Sequence, residues 1–278
     1  MSDESDVIDH YGGTDLLQAI AAGLAELGLD PGTATVDLLA PVDEFHVGGR
    51  PAATELCARI EIDASHRVLD VGCGIGGTAR FIASTFGADV TGIDLTPAYT
   101  AVGEELNRWT GLEERVHLTN GSALDMPFPD GHFDRAVQLH VGMNIEDKAS
   151  LFSEIARVLA PGGRFGLYDI MATDDVGPEF PVPWAGDSST SFLAAPADYR
   201  EHLADAGFVI TAERDRAGFA VEFFTQIAAR RAQAGGPAPL GLHLIMGSEA
   251  PTKIANMVAA VGGGHIAPVE MICEKSAN

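Results

Sequence analysis

The stretch VLDVGCGIGG, Val68 to Gly77, decides how the rest of the chain is read. It opens as a buried strand and reaches an acid at Asp70. Four of the next seven residues are glycine. Gly72, Gly74 and Gly77 satisfy the pattern G-x-G-x-x-G, with a strand before it and a helical pattern after it. Glycines so placed let a ligand approach the backbone closely. Asp70 narrows the choice of ligand. A carboxylate two residues before the first glycine would face the pyrophosphate of a dinucleotide, a repulsion of several kcal/mol in a partly buried site. S-adenosylmethionine has no phosphate and carries a sulfonium and an ammonium, which favour a nearby acid. Asp94, about twenty residues after the loop, stands where a carboxylate accepts hydrogen bonds from ribose hydroxyls. It also stands where it would cap the helix that follows.

Outward from the loop, strand and helix patterns alternate. The strands are RVLDVG, DVTGIDL, RVHLTNGS, HFDRAVQLHV and RFGLYDIM. The helices are GTARFIASTFG, PAYTAVGEELNRWTGL and EDKASLFSEIARVLAPGG. This order implies an α/β fold with a mostly parallel sheet covered by helices on both faces. Before it, DLLQAIAAGLAELGLD places Leu16, Ile20, Leu24 and Leu27 at helical spacing. A loop is expected over APVDEFHVGGRPAA and a short helix over Ala53–Ile60. The expected organisation is a helical N-terminal cap over 1–60 and a Rossmann-like domain over 61–278. Segments 172–196 and 214–264 are expected as lid or substrate insertions. Further helices are expected in ADYREHLADAGF, VEFFTQIAARRAQA and SEAPTKIANMVAAV, and a last strand in PVEMICEK.

Composition excludes several functions. The chain has 278 residues, with 17 basic against 40 acidic, a net charge of −23. Such a field repels nucleic acids and anionic membranes. Only Lys148, Lys253 and Lys275 are lysines. No apolar run is long enough to span a bilayer. The N-terminus, MSDESDVIDH, does not read as a leader, so a cytoplasmic location is expected. Cys57, Cys73 and Cys273 are too scattered for a zinc site or a disulfide framework, and the histidines lack ligand spacing, so no metal is expected.

The segments VLDVGCGIGG, GIDLT, GSALDMPFPDGHFD and ARVLAPGGRF, in this order, resemble the class I S-adenosylmethionine-dependent methyltransferases of small molecules. The flanking regions are similar to the sarcosine/dimethylglycine and tocopherol-like members. The resemblance implies a seven-stranded Rossmann-like sheet and S-adenosylmethionine as cofactor. It implies that Asp70, Gly72 and Gly74 hold the methionine part, that Asp94 and Leu95 bind ribose and flank adenine, and that Ser122 and Ala123 lie at the adenine amino edge. Many relatives carry aspartate where Ser122 stands. Gln138 and His140 are implied at the methionine end, and Tyr11 is implied to close over it.

The reaction implied is in-line methyl transfer to N, O, C or S of a small organic molecule, in which positioning supplies much of the rate. His140, beyond the fourth strand, and His46, in DEFHVGGR, are the candidate catalytic residues. Either is also readable as a loop histidine held by backbone groups. Trp184, Phe180 and Phe192 are the candidate substrate contacts, since the Pro-rich segment Ala172–Pro196 is too long for an ordinary connection. The rival readings are an NAD(P)-dependent oxidoreductase and a non-catalytic S-adenosylmethionine-binding regulator. The expected partner is a small molecule, and a homodimer is left open.

Overall fold

A computed structural model describes residues 15–234 and 238–276. Tyr11 lies outside the described residues. The chain begins with α1 (Leu16–Glu26), which buries Leu16, Ile20 and Leu24. Leu27, expected on the same stripe, is 48% exposed because the helix has ended. Two helices follow, α2 (Val36–Asp43) and α3 (Gly49–Arg59). They shorten the loop expected over residues 40–53 to residues 44–48. The Thr35 hydroxyl caps α2 by accepting the Leu38 N–H at 3.2 Å, so the helix starts early and carries Pro41 inside it. Gly48, at φ +91°, is the left-handed residue from which α3 departs.

The alternating region then runs β1 (Arg67–Val71), α4 (Gly77–Phe86), β2 (Asp89–Asp94), α5 (Pro97–Trp109), β3 (Val116–Asn120), β4 (Phe133–Leu139), α6 (Lys148–Val158) and β5 (Leu159–Ala172). The remainder is α7 (Pro196–Asp205), β6 (Phe208–Asp215), α8 (Ala217–Ala234), α9 (His243–Met246), α10 (Ala250–Gly262) and β7 (Ile266–Lys275). The seven strands form one sheet in the order β3-β2-β1-β4-β5-β7-β6. The first five are parallel, and β7 runs antiparallel to β5 and β6. This is the mostly parallel α/β sheet expected from the alternation, with the seven strands that the resemblance implies. The helix expected to run into the Pro-Gly-Gly stop ends at Val158 instead. Leu159 already pairs with Phe133, and the register shifts before Arg164 pairs with Arg135.

Side chains alternate between the two faces of the sheet. On β1, Leu69 and Val71 join a core with Phe133, Phe152 and Phe165, while Val68 joins the opposite core with Phe81, Ile82 and Val137. Both faces are covered, which is why the strands read as continuous apolar runs. Among the described residues, no helix is long and apolar enough to cross a membrane.

A buried cation fastens α2 to the sheet domain. Arg80 on α4 has no exposed surface. Its Nη2 and Nε donate to Asp43 Oδ1 and Oδ2 at 2.6 and 3.3 Å, and Nη1 donates to Gly103 O and Asn107 Oδ1 at 3.3 and 3.1 Å. Arg80→Met is expected to destabilise the fold by about 3–5 kcal/mol, because Asp43 is left charged and unpaired in the interior. The double change Arg80→Met with Asp43→Leu should recover most of that loss. Urea melts of the two variants and the parent check this.

Candidate functional site

The strand order reverses between β1 and β4, and at that switch point the carboxyl ends of the strands open on a cavity of about 1060 Å³. Its wall runs along the sheet in strand order. Ser122 and Ala123 stand beyond β3, Asp94 and Leu95 at β2, Asp70, Gly72 and Gly74 at β1, and His140 and Val141 beyond β4. Six acids line it, Asp43, Asp70, Asp94, Asp125, Glu146 and Asp147. No lysine or arginine does among the described residues.

The glycine loop is shaped by two close approaches. At Gly72, φ is +67° and a Cβ would meet Val141 Cγ2 at 2.4 Å. At Gly77, where α4 begins, a Cβ would meet the Asp43 carbonyl oxygen at 2.4 Å. The third glycine therefore serves the contact with α2. Gly74 differs, since a Cβ there would meet nothing within 4 Å and the residue lines the cavity.

Asp94 pins the loop. Its Oδ2 accepts the Gly74 N–H at 2.7 Å and its Oδ1 accepts the Thr96 N–H at 2.9 Å. The Thr96 hydroxyl also bonds this carboxylate, which still keeps an acceptor direction. The residue before α5 is Thr96, so Asp94 is not itself the helix cap. Asp70 is 2% exposed, and its Oδ2 has no hydrogen-bond partner among the described residues. Burial, reinforced by the neighbouring Asp94 charge, pushes its carboxyl up to about 8. The Ser122 hydroxyl accepts the Leu124 N–H at 3.1 Å.

Three expectations need correction. Gln138 does not line the cavity. It is fully buried, and its Nε2 donates to Asp169 Oδ2 at 2.7 Å. Phe180 and Phe192 line neither this cavity nor its neighbour. The segment expected as a lid is also fastened. Asn144 Nδ2 donates to the carbonyls of Trp184 and Thr190 at 2.7 and 3.0 Å, and the Phe192 N–H donates to Met143 O at 2.7 Å. Trp184 itself is 2% exposed, with its indole N–H on Ser191 Oγ at 3.0 Å.

The two histidines stand side by side, with ring centroids 6.2 Å apart. His140 Nδ1 lies 2.9 Å from the Tyr168 carbonyl, which can only accept, so Nδ1 carries the proton. Nε2 then accepts the Val47 N–H at 3.0 Å. Both nitrogens are engaged, so the base role expected of His140 has no free lone pair. Burial and the nearby His46 hold it neutral, down at about 3. His46 lies with Nε2 at 3.1 Å from Gly49 O and 3.4 Å from Glu44 Oε2, both acceptors. Its Nδ1 keeps a lone pair, and the ring lines the cavity. Burial, with Arg50 nearby, lowers its value to about 4.

Asp169 was not anticipated. Fully buried at the end of β5, it accepts from Gln138, the Tyr199 hydroxyl and the N–H groups of Val141 and Gly142. It fixes the loop that follows β4. The signal in the sequence is an acid set inside the apolar run FGLYDIM.

Comparisons with known proteins agree with this fold. Residues 68–163 match the family described as methyltransferase domain. The methyltransferase GfsG of Streptomyces halstedii is 33% identical over 175 residues, covering 62% of this chain and 61% of that protein. The glycine/sarcosine/dimethylglycine N-methyltransferase of Actinopolyspora halophila is 29% identical, over 60% of this chain and 30% of that one. The chain thus spans less than two thirds of the length of these relatives. A solved phosphoethanolamine N-methyltransferase 2 of Haemonchus contortus has the same fold, with a TM-score of 0.70 at 20% identity, covering 99% of this chain and 61% of that one.

The hydrogen bonds of His140 make it a structural tie, at φ +58°. His140→Ala should cost about 1–3 kcal/mol, since it orphans the buried Val47 N–H, while the Tyr168 carbonyl keeps the backbone N–H of residue 140. His140→Gly should cost about 1 kcal/mol less than the alanine change, because glycine adopts that backbone freely. Chemical denaturation of both variants measures the difference.

Proposed function

We propose that this chain transfers a methyl group from S-adenosylmethionine to a small organic molecule. The observation that carries the reading is Asp70, a buried carboxylate with one unpartnered oxygen in a wall of six acids with no described basic residue. Such a wall suits a cation and opposes a pyrophosphate. The residues present fit the group. Asp70 would take the ammonium, and Gly72 and Gly74 would let the methionine part lie against the backbone. Asp94 would accept from the ribose hydroxyls with the lone pairs not used by Gly74 and Thr96. Leu95, Ser122 and Ala123 would flank the adenine. When bound, the cofactor supplies a methyl on a sulfonium. The chain's part is to hold acceptor and methyl in line and to exclude water. The helices before β1 act in this reading as a cap over the cavity.

Calorimetry of the full chain tests the proposal. S-adenosylmethionine and S-adenosylhomocysteine should bind, and NAD and NADP should not. Binding of neither adenosyl compound would overturn the reading. Asp94→Ala should weaken binding by about 1–3 kcal/mol, the scale for a hydrogen bond to a charged group.

Asp70 adds a pH signature. In the free protein its carboxyl is protonated below about 8, and a bound ammonium requires the ionised form. Binding should therefore release a proton near pH 7, and affinity should fall as pH drops below about 8. Titrations in two buffers of different ionisation enthalpy measure that proton, and Asp70→Asn should abolish its release.

A further inference from the structure

Beside the large cavity lies a second chamber of about 110 Å³. Phe45, His46 and His140 line both spaces, so the two adjoin at these rings. The position follows from the sheet. In the strand order β3-β2-β1-β4, the adenosine and methionine ends would, on the reading above, lie along β3 to β1, and the next place along the edge is β4. The chamber lies there, beyond the methionine end.

Its wall is mostly apolar. Met143, Trp184, Phe223, Phe224, Met246 and Met257 contribute rings and thioethers. The Trp184 indole N–H is already satisfied by Ser191. Among the described residues no lysine or arginine lines the chamber, so a phosphate or carboxylate finds no counter-charge. The single carboxylate in the wall, Glu44, gives Oε1 to Arg50 and has Oε2 at 3.4 Å from His46 Nε2, so it is held against the protein's own groups. A volume of this order matches roughly one six-membered ring, since an apolar cavity of about 150 Å³ holds benzene.

Resting on the methyl-donor reading above, we propose that this chamber seats a ring-sized apolar acceptor bearing a neutral hydroxyl, whose proton is taken by His46 Nδ1. The geometry of His46 suits that role. Nε2–H is directed to Gly49 O, with Glu44 Oε2 at 3.4 Å from the same nitrogen, which leaves the lone pair on Nδ1. Glu44 Oε2 is buried with no hydrogen bond among the described residues, and it faces the ring that would become cationic. In the step, the acceptor O–H bond breaks and its proton passes to Nδ1. An O–CH3 bond forms as the S–CH3 bond of the sulfonium breaks, and that electron pair stays on sulfur. The imidazolium rests against Glu44 and then loses its proton to water.

The test uses the full chain and three probes: phenol, toluene and phenyl phosphate. On each sample S-adenosylmethionine binding is measured first, which also shows that a variant is folded. In the parent protein, phenol should bind, and phenyl phosphate should bind at least about tenfold more weakly. His46→Leu should cut phenol affinity about tenfold, the scale of one hydrogen bond, while toluene affinity stays within about twofold. Nitrogen-15 NMR of the parent needs no variant. His46 Nδ1 should be unprotonated and should shift on adding phenol but not toluene. An unchanged phenol-to-toluene ratio in His46→Leu, or phenyl phosphate binding as well as phenol, overturns the inference. Loss of S-adenosylmethionine binding with the phenol results intact would overturn the donor reading and leave the chamber's specificity standing.

Discussion

The buried pair between Arg80 and Asp43 is the constraint on which the site depends. Arg80 sits one turn into the helix that follows the glycine loop, and its guanidinium is spent on four acceptor atoms from two helices, α2 and α5. Asn107, one of these, also donates to Val116 O at 3.1 Å, which extends the same network to β3. A pair like this contributes little net stability compared with apolar packing of equal volume. What it does is fix a register. With Asp43 held, its carbonyl lies where only a glycine at position 77 leaves room. The residues after Asp43 must then leave α2 directly over the loop.

A second arginine completes the placement. Arg50 lies over the Phe81 ring at 4.5 Å and pairs with Glu44. The segment from Asp43 to Arg50 is thus gripped at both ends by cations against α4. His46 and Val47 have little freedom between those grips, and His140 takes the Val47 N–H from the sheet side. The cap, the glycine loop and the β4 edge meet at this short segment. The chemistry of the cavity is set by where it is held.

Much of this was legible in the sequence, and the reason is periodicity. Strands buried on both faces must be apolar throughout, and their helices must carry one apolar stripe, so the order from β1 to β5 could be read directly. The glycine loop and Asp94 were legible because their chemistry is local to a strand end. The second N-terminal helix was hidden because Pro41 and the Gly48–Gly49 pair look like breakers. Thr35 overrides them with a local cap, and Arg80 and Arg50 through contacts far apart in sequence. Gln138 was misplaced because a strand's period of two does not reveal that Asp169, on the neighbouring strand, claims its amide. The segment 172–196 read as a free lid because Pro, Gly and Ser mark irregular backbone. Its attachment comes from side chains distant in sequence, Asn144, Lys148 and Asn256, that bond its backbone carbonyls.

The two histidines show why a residue type at a strand end is not yet a role. Both rings border both cavities, and both are held neutral by burial. They differ only in which nitrogens the backbone has taken. His140 gives one nitrogen to a carbonyl and the other to an N–H, so its lone pair is consumed in tying the cap segment to β5. His46 has acceptors on one nitrogen alone, which forces the proton there and leaves the opposite lone pair for a ligand. The tie made by the first histidine holds in place the segment that carries the second. Sequence order cannot distinguish them, because the deciding partners, Val47, Gly49 and Tyr168, act through backbone atoms that any residue would supply.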